Sequence, residues 1–116
     1  MKTLVALTIA TACCATSAQT GVYRKAGGQA EIGSIAGRSV PFSLVATKGQ
    51  ARCELEGKAE MVDATRAAFT TQDRNDKCVA VLNFANSGLK VTTKGCESYC
   101  GAGAAGAMDG SYTPKR

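Results

Sequence analysis

The strongest constraint on the fold is an alternation of residue types across residues 40–62. Apolar side chains occupy every second position in residues 40–46, residues 47–50 have turn chemistry, and the alternation resumes across residues 51–61. A period of two with one apolar and one polar face predicts a half-buried antiparallel hairpin. Gly57 predicts a bulge or bend in the second strand. The polar face of that strand carries Arg52, Glu54, Glu56, Lys58 and Glu60.

Shorter segments of the same character predict further strands. Residues 78–84 and 89–93 form a second hairpin around a turn at residues 85–88, in which Gly88 is suited to a positive φ. Weaker strands are expected at residues 28–36, 65–71 and 108–113. The sequence therefore predicts an all-β antiparallel meander of six or seven short strands, curled into a barrel-like or two-layer sheet and stabilised by disulfides.

The N-terminal segment has the pattern of a secretory signal peptide. Lys2 is followed by an apolar stretch that is too short to span a bilayer, which takes about 20 residues, and no other charge occurs before Arg24. Small residues at positions 16–18 suit cleavage before Gln19. We expect residues 1–18 to be the signal and residues 19–116 to be a single small β domain in the periplasm or outside the cell. The alternatives are a buried N-terminal helix, or a lipid anchor on Cys13 or Cys14.

Four cysteines remain after that cleavage: Cys53, Cys78, Cys96 and Cys100. An even number of cysteines in a small exported protein predicts disulfides, for which three connectivities exist. The short spacing of the last two favours a local Cys96–Cys100 bridge, which leaves Cys53 to pair with Cys78. A zinc site is the alternative, but only one closely spaced pair is present and the chain contains no histidine. We expect neither a metal nor a cofactor.

Composition argues against several other classes of function. The net charge is +5, or +4 without the segment that contains Lys2, and the two signs are interleaved, so no nucleic-acid footprint stands out. Three Phe, three Tyr and no Trp offer no platform for stacking bases. No second apolar stretch is long enough for a transmembrane segment.

The residues also contain no assembled catalytic set. Without histidine, the commonest general base is missing. Residues 101–106 match G-x-G-x-x-G, but a cysteine-containing turn precedes them and there is no room for a βαβ unit. Glu54 and Glu56 share a strand face at a spacing of about 7 Å, yet Arg52 and Lys58 share it too, which favours a solvent-exposed charge ladder over a pair of catalytic carboxylates. We expect a protein that is not an enzyme.

A partner-binding surface is the remaining possibility. A cross-linked turn after β-structure holds its side chains in place, which lowers the cost of ordering them on binding. Tyrosine is enriched at interfaces. The candidate residues are Lys94, Glu97, Ser98 and Tyr99; alternatively, Tyr99 and Tyr112 are structural aromatics at the sheet edge.

Two resemblances bear on function. The ending Cys96-x-x-Tyr99-Cys100-Gly101, followed by Asp109-Gly110-x-Tyr112, resembles that of a group of small exported bacterial proteins, mostly without assigned function, which implies location and fold.

The chain also resembles the periplasmic inhibitors of C-type lysozyme, which are small disulfide-bearing β-barrels with loop motifs S-G-x-x-Y and Y-x-x-x-T-K-G. Ser87-Gly88 and Thr93-Lys94-Gly95 match these motifs, whereas Val91 and Leu89 stand at the tyrosine positions. This resemblance adds Ser87 to the candidate partner-binding residues. The expected function is binding of another protein of the envelope or outside the cell, with lysozyme inhibition as its most specific form. The alternative is a structural or surface-adhering envelope protein that binds anionic lipid or wall polymer by weak electrostatic contact.

Overall fold

The computed structural model describes residues 20–71, 77–85, 87–100, 104 and 106–115; the expected signal segment, with Cys13 and Cys14, and most of the glycine run lie outside them. The described residues form eight antiparallel strands that pair in chain order and close into a barrel, in which β8 pairs with β1. The prediction of a barrel-like all-β fold is confirmed, with eight strands instead of six or seven. The strands are β1 (Gly21–Lys25), β2 (Gly28–Ile32), β3 (Ser39–Lys48), β4 (Ala51–Met61), β5 (Arg66–Thr70), β6 (Val79–Ala85), β7 (Gly88–Lys94) and β8 (Gly110–Pro114).

The β3–β4 hairpin follows the sequence alternation closely. Its ten residue pairs run without interruption from Ser39 opposite Glu60 to Lys48 opposite Ala51, and Gly49 in the two-residue turn has a φ of +61°. The bulge predicted at Gly57 is wrong. Gly57 stays in register opposite Phe42, and its missing side chain leaves room for the ring of Phe69, which would lie 2.5 Å from a Cβ at this position.

The remaining predicted strands lie close to their expected positions, and β1 was missed. Within β1 only Tyr23 is deeply buried, so its five residues show too little alternation to be recognised. The prediction of a positive φ at Gly88 is also wrong, because Gly88 already begins β7 and Ser87 in the turn takes the positive φ of 65°.

The barrel interior is a packed apolar core. Among the described residues no polar or charged side chain is buried, apart from those of Tyr23 and Tyr112. The hydroxyl of Tyr112 donates a hydrogen bond to the carbonyl oxygen of Met108 at 2.7 Å. The largest fully buried side chains are those of Tyr112, Phe84, Leu44, Leu82, Met108, Val40 and Val91. The interior is therefore filled by side chains. No helix in the described part of the chain is long and apolar enough to cross a membrane.

All four cysteines expected to form disulfides do so, but the favoured pairing is wrong. The bridges join Cys53 to Cys100 and Cys78 to Cys96, with Cα–Cα distances of 4.0 and 4.5 Å. Cys78 precedes β6 and Cys96 follows β7, and pairing of these two strands brings both cysteines to the same end of the hairpin. A short turn then carries Cys100 away from Cys96 to an isolated β-bridge with Cys53 on β4.

Candidate functional site

The site is organised around a single turn of 3-10 helix, Glu97–Tyr99, that lies between two disulfide-bonded cysteines. We call these three residues the stapled turn. Cys96 on one side is bonded to Cys78 beside β6, and Cys100 on the other is bonded to Cys53 in β4. Within the turn, the amides of Tyr99 and Cys100 donate to the carbonyl oxygens of Cys96 and Glu97, each at 3.0 Å. The turn is thus fixed at both ends to different strands of the barrel.

The structure brings four of the five predicted partner-binding residues together. Lys94, Glu97 and Ser98 are exposed, and Tyr99 is half-buried against the barrel. Ser87 lies elsewhere, because it occupies the turn that begins β7 whereas Lys94 ends that strand. At about 3.3 Å per residue, the seven residue steps between these two positions span about 23 Å.

One side of the stapled turn borders a groove on the outer face of β3 and β4. The groove has a volume of about 360 Å³, and its side-chain lining includes Tyr99, Ser43, Val45, Glu54 and Glu56. Strand register sets Ser43 opposite Glu56 and Val45 opposite Glu54, so the four β-strand side chains form a compact floor. We call this cavity the Tyr99 groove.

The charges on that floor are only partly neutralised. The Arg52 guanidinium donates to the Glu54 carboxylate at 2.6 Å, and both groups are solvent-exposed. Glu56 makes no ion pair with any of the described residues. The predicted charge ladder on β4 therefore exists as an exposed face, but its ion pairing within the strand is confined to Arg52 and Glu54.

A second hollow, of about 330 Å³, also borders the stapled turn. Its lining includes Lys94, Glu97, Thr93 and Met108. Asp109 fixes this wall by accepting hydrogen bonds from the backbone amide and hydroxyl of Thr93, at 2.9 and 2.5 Å. Residues of the stapled turn thus contribute to the lining of two concave surfaces.

The groups with shifted ionisation lie outside both hollows. Hydrogen bonds from the Arg66 side chain and the Thr65 amide lower the pKa of Asp63 to about 2 in the β4–β5 turn. Burial, assisted by the nearby charge of Asp109, raises the pKa of Tyr112 to about 12. In the part of the chain that the structure describes, no group of three His, Cys, Asp or Glu side chains is arranged to hold a metal ion.

Sequence reasoning placed the stapled turn but missed the groove beside it. The sequence pattern predicts a charge ladder at Glu54 and Glu56, with catalytic carboxylates as the alternative, and it gives no functional signal at Ser43 or Val45. The groove exists because Cys100 bridges to β4, and that pairing has no local signal in the sequence.

Comparison with known proteins does not assign the chain to a family. No protein-family model matches it, and neither a curated protein nor a solved structure matches it significantly.

Proposed function

We propose that this protein is a non-enzymatic, exported binding module of the bacterial envelope that recognises another protein through the stapled turn and the surfaces beside it. The observation that carries the proposal is that two disulfides attach a partly exposed turn of three residues to the barrel. One disulfide attaches it to β4, and the other attaches it to the chain just before β6. A segment held in this way loses little conformational freedom on binding, so more of its contact energy is available for affinity.

The same disulfides support export. Such bonds form and persist in oxidising compartments, which include the bacterial periplasm and the extracellular space. Together with the signal-like pattern of residues 1–18, this favours a protein that acts outside the cytoplasm.

Inhibition of a lysozyme is the more specific form of the proposal, and it rests on the resemblance at Ser87 and Lys94. These residues are about 23 Å apart, whereas a protein interface of standard size covers about 800 Å² on each partner, a disc roughly 30 Å across. One enzyme can therefore contact both. We expect the protein to slow cell-wall digestion by an added lysozyme, and Ser87→Ala or Lys94→Ala to weaken that effect. Absence of inhibition with every lysozyme class would remove this specific form.

The general proposal is tested by affinity capture from an envelope extract, with the oxidised protein as bait and the reduced protein as its control. We expect a protein bound in a stoichiometric amount by the oxidised form and lost on reduction, because reduction releases the stapled turn. If no protein is captured, while binding to anionic lipid or wall polymer falls steeply with salt, the electrostatic adhesion alternative is the better account.

A further inference from the structure

We propose that the Tyr99 groove is a receptor for a basic side chain, of the arginine type, on the partner protein. This inference rests on the proposed function, because it specifies the chemistry of the partner that the stapled turn contacts. It concerns a groove that the sequence pattern does not predict.

The shape and lining of the groove suit a long side chain with a charged end. Val45 contributes an apolar surface against which a methylene stem can pack, and Ser43 offers a hydroxyl group. Tyr99 places an aromatic residue at the edge, and guanidinium groups are attracted to aromatic faces. The volume of about 360 Å³ is ample for a single side chain.

The negative charge of the groove is complementary to a basic side chain. The groove is lined by two carboxylates, and no basic side chain appears among the described residues that line it. Glu54 is engaged by Arg52, so Glu56 is the carboxylate open to an incoming cation. Glu31 on β2 lies opposite Ser43, which in turn lies opposite Glu56, but its charge is about 10 Å away across two strand spacings and is largely screened.

Local charge outweighs the basic net charge of the chain at this site. Lys58 is two residues from Glu56 on the same strand face, about 7 Å along β4, and it is the nearest competitor in sequence. At physiological ionic strength the Debye length is about 8 Å, so the more distant lysines and arginines are largely screened. A guanidinium inside the groove interacts mainly with the groove's own carboxylates.

The test is a titration of the oxidised protein with a blocked peptide, acetyl-Gly-Arg-Gly-amide, followed by two-dimensional NMR of the backbone amides. The control ligand is the same peptide with citrulline, which keeps the shape of arginine and removes its charge. We expect saturable shifts at Ser43, Glu54, Glu56 and Tyr99 with the arginine peptide and much smaller shifts with citrulline. No saturable change, or an equal response to both peptides, overturns the proposal.

Variants define which groups bind the cation. Glu56→Gln is expected to weaken peptide binding about threefold, as for an exposed ion pair, and Tyr99→Leu about two- to fivefold. Arg52→Gln is expected to strengthen binding about twofold, because it frees Glu54 from its internal partner. The matched control is Glu60→Gln, on the same strand face about 13 Å from Glu56, which should change affinity little. Equal effects of Glu56→Gln and Glu60→Gln would show general electrostatic attraction instead of a site.

Failure of this inference is distinguishable from failure of the proposed function. If a protein partner is captured and its binding is unaffected by Glu56→Gln, the binding module stands and the arginine receptor falls. If no protein partner is captured, the proposed function falls whatever the peptide titration shows.

Discussion

At the scale of single residues, the contact between Gly57 and Phe69 shows how a missing side chain shapes the barrel wall. The ring of Phe69 occupies the space that a Cβ at residue 57 would need, and it meets the ring of Phe42 edge-on with centroids 5.1 Å apart. We expect Gly57→Ala to lower the free energy of unfolding by about 1–3 kcal/mol, because the added methyl group overpacks this contact.

A double-mutant cycle measured by urea unfolding checks the cause. Phe69→Leu shortens the obstructing side chain, so the cost of Gly57→Ala should be smaller in that background. Additive effects, within about 0.5 kcal/mol, would contradict the steric account.

Tyr112 makes stability depend on pH at the alkaline end. Burial raises its folded-state pKa to about 12, against about 10 in an unfolded chain. The folded state therefore favours the protonated phenol, and this contribution is fully present below pH 10 and is lost as pH rises from about 10 toward 12.

The Tyr112→Phe variant tests this dependence. Its urea unfolding midpoint is measured between pH 8 and pH 12 and compared with that of the wild type. At pH 8 the variant should lose about 1 kcal/mol, because the carbonyl of Met108 loses its hydrogen bond. Above about pH 10 its stability should fall less steeply than that of the wild type. Parallel pH profiles would show that Tyr112 does not titrate in the way its burial implies.

At the scale of elements, the β6–β7 hairpin determines which cysteines meet. Because Val79 pairs with Lys94, the chain just outside both strands is brought together, and Cys78 reaches Cys96. We predict that digestion of the unreduced protein after its basic residues and after Glu97 releases one peptide pair linked through Cys53 and Cys100 and another through Cys78 and Cys96. Mass spectrometry identifies them, and a bridge between Cys96 and Cys100 would contradict the structure.

The elements also show where sequence reasoning succeeds. The β3–β4 hairpin was predictable because each position alternates between core and solvent, so every residue repeats the same signal. Strand β1 was missed because its neighbours β2 and β8 define it more than its own five residues do. Strand propensity and hydrophobic period are properties of a short segment, whereas closure of the barrel depends on pairing between the distant strands β1 and β8.

At the scale of the whole molecule, the fold follows from local sequence patterns, whereas the candidate site depends on contacts between distant parts of the chain. The Tyr99 groove combines β3 and β4 with a residue more than forty positions later in the chain, and the disulfide and the β-bridge between Cys53 and Cys100 bring them together. The short spacing of Cys96 and Cys100 favours a local bridge between them, which is the wrong pairing. Such a bridge would not attach the turn that contains Tyr99 to the strand that carries Glu54 and Glu56.

The most direct test of the central claim is quantitative capture from an envelope extract by three oxidised baits: the wild type, Tyr99→Leu and Glu60→Gln. Tyr99→Leu alters the stapled turn and its groove, whereas Glu60→Gln alters an exposed charge on β4 outside the groove. We predict one stoichiometric protein partner that is retained by the wild type and by Glu60→Gln and is reduced or lost with Tyr99→Leu. Recovery of the same proteins in equal amounts by all three baits, or of none, would contradict the account.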